Sequence, residues 1–167
     1  ITGQLQPDSG EVFVAPTVEF NYIDQGRIAL NPENSVLEEI SEGHDFINLG
    51  EEKISIWGYL KRFLFEDDRI NTKIKNLSGG EKARLTLAKI LRGGGNFLIL
   101  DEPTNDLDLS TLRILEEALI HYDGCLVVVS HDRYFLNRVC DHIIAFEHNA
   151  DLVASVGDYD YYLAKKQ

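Results

Sequence analysis

Two short runs, Phe97-Leu98-Ile99-Leu100 and Leu126-Val127-Val128-Val129, contain no polar residue at all. A strand with one wet face alternates apolar and polar residues, so unbroken apolar runs of this length belong to strands covered on both faces, the habit of parallel sheets. Between them, residues 109–121 space their apolar side chains as an amphipathic helix does. Strand, helix and strand in that order make one crossover unit, and such units demand an α/β architecture with helices against the sheet.

The rest of the chain fits around this unit. Residues 12–14 and 18–22 carry β-branched and aromatic residues and are predicted as strands. Asn31-Pro32-Glu33-Asn34 breaks that pattern, and residues 36–42 and 54–65 then place apolar residues at helical spacing. Gly79–Arg92 is predicted as a helix with Ala83, Leu87, Ile90 and Leu91 on one face, stopped by Gly93-Gly94-Gly95. Helix, strand, strand and helix follow over residues 133–139, 143–146, 152–156 and 159–165. The predicted organisation is a helical subdomain over residues 33–93, set into an α/β core of residues 1–32 and 94–167 with a mainly parallel sheet.

Composition narrows the function classes. With 44% hydrophobic and 26% charged residues over 167 positions, the chain has enough apolar surface for one packed core, which excludes a disordered segment. Its 28 acidic against 16 basic residues give a net charge of -12, which repels phosphate backbones and anionic lipid and disfavours non-specific nucleic-acid binding. No apolar stretch approaches a membrane span and no basic-then-apolar leader pattern occurs, so the expectation is a soluble, cytoplasmic protein. Cys125 and Cys140 have neither C-x-x-C spacing nor a His/Cys set nearby, and are expected as buried reduced thiols.

Three segments carry chemistry. Ser78-Gly79-Gly80-Glu81 matches a capping box, in which serine and glutamate satisfy free N–H groups at a helix start. Two glycines there cost helix stability of about 0.5–1 kcal/mol each relative to alanine, which makes sense if backbone must approach a ligand. Open amides at the positive end of a helix favour phosphate, so cap and phosphate contact both stand as readings. Asp101 and Glu102 lie at the carboxyl end of an apolar strand, where ligand crevices form in open parallel sheets. There they serve either as a solvated turn or as a metal-holding carboxylate beside a general base. His131 follows the other apolar strand at the same sheet edge, with Asp132 as a possible helix cap. Ser130, His131 and Asp132 do not make a hydrolase triad, because three adjacent side chains diverge in direction.

The full stretches add a resemblance. Leu77-Ser78-Gly79-Gly80-Glu81-Lys82-Ala83-Arg84 resembles the signature motif of ABC ATPases, and Asp101-Glu102-Pro103-Thr104-Asn105-Asp106-Leu107-Asp108 their Walker B segment and D-loop. Ser130-His131-Asp132-Arg133 resembles their switch-histidine segment, and Gln25 their Q-loop glutamine. The resemblance implies a P-loop (RecA-like) fold, ATP and Mg²⁺ as ligands, Glu102 as the base, and His131 at the γ-phosphate and attacking water. It implies metal contacts from Asp101 and Gln25, contacts from Ser78, Gly79 and Gly80 to ATP held by a partner domain, and a partner-facing Asp108. Residues 102–108 and 130–136 look most like the soluble ABC-F subfamily, whose members pair two ATPase domains in one chain without a membrane partner. Phe63-Leu64-Phe65, Asp106 and Gly157-Asp158-Tyr159-Asp160-Tyr161 are most similar to the second ATPase domain of a Uup-type protein. Members act largely on ribosomes and translation, and Uup-type ones are also linked to branched nucleic acid.

One departure is large. A lysine-bearing phosphate loop, G-x-x-x-x-G-K-[ST], is the main grip on ATP phosphates, and no Gly-Lys dipeptide occurs here. The family pattern places that loop before Ile1, so the 167 residues alone are expected to be ATPase-dead and to leave apolar surface uncovered. Two competing functions remain: the ATPase subunit of a transporter or cluster-assembly complex, and a non-catalytic interaction module. Asn105-Asp106-Leu107-Asp108 differs from the Ser-Ala-Leu-Asp usual in transporter ATPases, and intact Glu102 and His131 speak against a degenerate module.

Overall fold

The computed structural model describes residues 2–3, 5–23, 29–49, 52–105, 107–147 and 151–166. Its centre is a three-stranded parallel sheet in the order β1-β4-β5, formed by β1 (Phe20–Ile23), β4 (Phe97–Asp101) and β5 (Cys125–Val129). The apolar run of β4 is the central strand, and Leu98, Ile99 and Leu100 are all buried. Helix α5 (Leu109–Ile120) connects β4 to β5 and buries Thr111, Leu115, Glu116 and Leu119. This is the expected crossover unit, and it gives the chain an α/β fold with a parallel sheet.

The β1-to-β4 connection carries α1 (Val36–Ser41), α2 (Ile56–Arg62), α3 (Asp67–Ile70), a 3-10 turn (Ile74–Asn76) and α4 (Gly79–Arg92). One apolar cluster joins this segment to the sheet, from Val36, Ile40, Leu60 and Phe65 through Leu85 and Ala88 to Leu98, Leu100 and Phe135. Among the described residues the ion pair with the most deeply buried carboxylate, Glu39 with Lys89, joins α1 to α4. Glu39 accepts from Lys89 Nζ at 2.5 Å and Asn34 Nδ2 at 2.8 Å, and Lys89 also donates to the Ala29 carbonyl at 3.1 Å. A carboxylate left unpaired at this depth would cost several kcal/mol, on the order of 3–5. Beyond β5 come α6 (Arg133–Val139), an antiparallel pair β6 (His142–Phe146) and β7 (Leu152–Val156), and α7 (Tyr159–Lys166).

Several boundaries differ from the expectation. Residues 12–14 form no strand, and Val12 and Phe13 are exposed; among the described residues no neighbouring strand offers them hydrogen bonds. Strands β2 (Phe46–Leu49) and β3 (Glu52–Ser55) pair antiparallel, so the helix expected from Ile54 begins at Ile56. Ser55 decides that boundary: its Oγ accepts the Gly58 N–H and caps α2. The glycine stop after α4 is observed, and Gly95 takes φ 91 where a Cβ would lie 2.8 Å from the Glu19 carbonyl oxygen. Cys125 is exposed rather than buried and Cys140 is half-buried. Cys125 opens an edge strand of the described sheet, where an apolar sequence context does not ensure cover.

Candidate functional site

The carboxyl end of the sheet gathers Asp101, Glu102 and His131. Asp101 is the last residue of β4, pairs in register with Val129, and is exposed. Glu102 continues the pairing through its N–H, which donates to the Val129 carbonyl at 2.7 Å. Its backbone then turns sharply, at φ 46. A left-handed glutamate costs of order 1 kcal/mol or more and persists only where the surroundings over-determine it, a pattern concentrated at functional sites. Buried Pro103 follows directly and anchors the turn. The turn leaves the Glu102 side chain 23% exposed and sets its Oε1 3.5 Å from Nε2 of His131, whose own side chain is 99% exposed. A carboxylate and an imidazole thus converge at one solvent-accessible point above the sheet edge. The strand ends were legible beforehand, but the left-handed backbone of Glu102 has no sequence signal.

The residues flanking His131 are committed elsewhere. Asp132 Oδ1 accepts the N–H groups of Tyr134 and Phe135 at 3.0 and 3.1 Å and caps α6, while Ser130 Oγ accepts the Asp132 N–H at 3.1 Å. Neither side chain is oriented as a triad partner, in line with the divergence argument.

The Ser78 start of α4 returns to this same end of the molecule. Helix α4 has 14 residues and a length of about 21 Å; its far end meets Asn21 of β1, whose Nδ2 donates to the Ile90 and Gly94 carbonyls at 3.0 and 3.1 Å. Its first turn holds a complete capping box: the Glu81 N–H donates to Ser78 Oγ at 3.3 Å, and Glu81 Oε2 accepts the Ser78 N–H at 2.8 Å. Gly79 has nothing within 4 Å of where a Cβ would be, whereas a Cβ on Gly80 would lie 3.1 Å from Asp108 Oδ2. The structure therefore brings Gly80 and Asp108 together. Asp108 itself caps α5: Oδ1 accepts the Thr111 N–H at 2.9 Å and the Ser110 hydroxyl, and Oδ2 accepts the Thr111 hydroxyl at 2.9 Å. Gln25 and Asp106 lie outside the described residues.

One participant was missed by sequence reasoning. Arg69 on α3 forms a two-pronged ion pair with Glu81, Nε to Oε1 at 2.7 Å and Nη2 to Oε2 at 2.9 Å. Nothing in an arginine twelve residues upstream announces that pairing. Chiefly through this contact, the Glu81 carboxyl is held at about 2, well below the usual glutamate range. Asp108 is likewise held at about 2, by the Ser110 hydroxyl first and the Thr111 N–H next. Both groups have folded values below their unfolded ones, so the stability they contribute is present above pH ~4 and is lost as pH falls toward ~2. Wild-type protein should therefore lose thermal stability more steeply than Glu81→Gln between pH 4 and pH 2. Parallel melting curves across that interval would remove the Arg69–Glu81 contact as a stabilising pair.

The protein family described as ABC transporter matches residues 1–105. The chain belongs to that family. Among relatives of the ABC family, the energy-dependent translational throttle protein EttA of Mycobacterium tuberculosis strain H37Rv is 46% identical over 151 residues, covering 90% of this chain and 27% of that protein. EttA of Escherichia coli strain K12 is 43% identical over 162 residues, 97% of this chain and 29% of the relative. The ATP-binding protein Uup of Haemophilus influenzae is 43% identical over 159 residues, 95% and 25% respectively. These are ABC-F proteins, so the subfamily resemblance read from residues 102–108 and 130–136 is borne out, with Uup-type and EttA-type relatives at comparable identity. The chain spans about a quarter of the length of the curated relatives it matches. Solved structures agree on the fold. An archaeal ribosome recycling factor, aABCE1, in complex with the stalk protein aP1 superposes with a TM-score of 0.65 at 22% identity over 96% of this chain and 32% of that one. A dimeric ATP-binding cassette bound to ADP and Pi superposes at 0.55 and 24%, covering 77% of this chain and 58% of the other. The fold is that of ABC ATPase domains. No helix among the described residues is long and apolar enough to cross a membrane.

Proposed function

We propose that the chain is part of one ATP-hydrolysing domain of a tandem, cytoplasmic ABC-F ATPase, inactive by itself, that acts on the ribosome or branched nucleic acid through segments outside residues 1–167. The observation that carries the reading is the convergence of Glu102 and His131 at the carboxyl end of the sheet, 3.5 Å apart. In this reading Glu102 takes the proton of the water that attacks the γ-phosphate, and His131 hydrogen-bonds that water and the phosphate. The exposed imidazole and the partly exposed carboxylate face a point that water and a triphosphate can both reach. Residues 33–93 act as the helical subdomain that carries the Ser78 start toward ATP held by the second ABC domain of the same chain. Gln25 contributes to the metal and water.

The donor set fits a nucleotide-borne magnesium ion. Among the described residues no group of three or more His, Cys, Asp or Glu side chains forms a metal cage, and Mg²⁺ characteristically takes one or two carboxylates plus water and substrate phosphates. Asp101 would hold it, and when bound it would neutralise charge on the phosphates. The name of EttA, an energy-dependent translational throttle protein, supports translation as the process.

The test is phosphate release by the full-length protein. Magnesium-dependent ATP turnover is expected, and with the other domain's site silenced His131→Ala should lower it by about 10²-fold or more. A full-length protein without turnover, or a His131→Ala variant as active as wild type, would overturn the reading.

A further inference from the structure

A phosphate-binding helix start and a carboxylate in its first turn oppose each other electrostatically, yet α4 has both. Glu81 stands three residues after the Ser78 cap, and its Oε2 lies 2.8 Å from both the Ser78 nitrogen and the Ser78 hydroxyl. A negative charge so close to the open amides of Gly79 and Gly80 competes with any incoming anion for the positive end of the helix. The structure resolves the conflict through α3. Arg69 meets both carboxylate oxygens, at 2.7 and 2.9 Å, and its Nη2 also donates to the Asn76 carbonyl at 3.4 Å, just before the motif. Glu81 is then held by four donors: Arg69 Nε on Oε1, and Arg69 Nη2, the Ser78 N–H and the Ser78 hydroxyl on Oε2.

We propose that Arg69 is a positioning residue for the nucleotide contact of α4, neutralising Glu81 so that the first turn accepts a γ-phosphate while Glu81 still caps the helix. This rests on the reading of Ser78, Gly79 and Gly80 as contacts to the ATP of the partner domain. The fork geometry matters, because a guanidinium fixes a carboxylate in a plane as a lysine ammonium does not. It also fixes Ser78, whose hydroxyl donates to the same Oε2. Arg69 touches no nucleotide in this scheme. It acts only through Glu81, and it links the placement of α3 to the readiness of the helix start.

The experiment uses full-length protein carrying Glu102→Gln, with dyes on the two ATPase domains, and reads the ATP concentration that half-closes them. Arg69→Gln should raise that concentration about tenfold at low ionic strength. The shift should shrink at 0.5 M salt, since screening weakens the repulsion it exposes. Adding Glu81→Gln to Arg69→Gln should restore closure to within about threefold of the parent, because no uncompensated charge then remains. A double variant as impaired as Arg69→Gln, a shift equal at both salt concentrations, or no shift would each overturn the proposal. If Arg69→Gln alone does not fold, Glu81→Gln with and without Arg69→Gln still decides it: a difference above about threefold between those two rules out charge compensation. A parent protein that does not close with ATP at all would instead overturn the two-domain reading.

Discussion

Glu102→Gln in the full-length protein, with the other domain's base removed, should leave ATP binding intact and reduce turnover by about 10²–10⁴-fold, the usual worth of a positioned general base. The amide keeps the volume and the hydrogen-bonding reach of the side chain, so it holds a water, but it cannot take a proton. Glutamine also inherits the same left-handed backbone, φ 46, and the same 2.7 Å bond from its N–H to Val129. Thermal stability should therefore change by less than about 1 kcal/mol, and the lost turnover cannot be assigned to unfolding. Trapped nucleotide and a persistently closed pair of domains are the expected companions. Undiminished turnover would remove Glu102 as the base, and with it the division of labour between Asp101 and Glu102.

Gly80→Asp is the second large effect, and the structure separates its two components. A Cβ at position 80 would sit 3.1 Å from Asp108 Oδ2, so the new carboxylate meets an existing one within the folded domain and destabilises the start of α4. In the closed protein the same carboxylate would face the γ-phosphate from the opposing domain. Two like charges at about 4 Å repel by about 4 kcal/mol at an effective dielectric of 20, which corresponds to a 10²–10³-fold increase in the ATP needed for closure. Asp108→Asn distinguishes the components: combined with Gly80→Asp it should lessen the added loss of melting temperature, measured against Asp108→Asn alone, but not restore closure. Ser78→Ala is the milder companion, costing about 0.5–2 kcal/mol as a lost cap while also lowering turnover per folded molecule. Normal closure in a well-folded Gly80→Asp protein would mean that this helix start never meets nucleotide.

Much of the architecture follows from local rules that the sequence writes out. The apolar runs ending at Leu100 and Val129 became the paired parallel strands β4 and β5; β4 is buried as such a run requires, whereas β5, at the edge of the described sheet, is only partly covered, with Val129 51% exposed. Gly79–Arg92 and Arg133–Val139 begin and end where their caps require, at Ser78, Asp132 and the glycines after Arg92. Asp101, Glu102 and His131 reach one sheet edge for the same reason: parallel strands align their carboxyl ends. What local rules could not supply depends on partners distant in sequence. Residues 12–14 have strand composition and no strand, because β structure needs a neighbour and composition does not say whether one is present. Local pattern assigns nothing to strands β2 and β3 except at Ile54 and Ser55, which read as the start of a helix, since a short apolar spacing fits either period. Arg69 with Glu81, Asp108 beside Gly80, and the left-handed turn of Glu102 were decided only by tertiary structure. Each depends on where α3, α5 or β5 comes to rest, and side-chain charge and backbone strain at a contact are set by the packing that creates it.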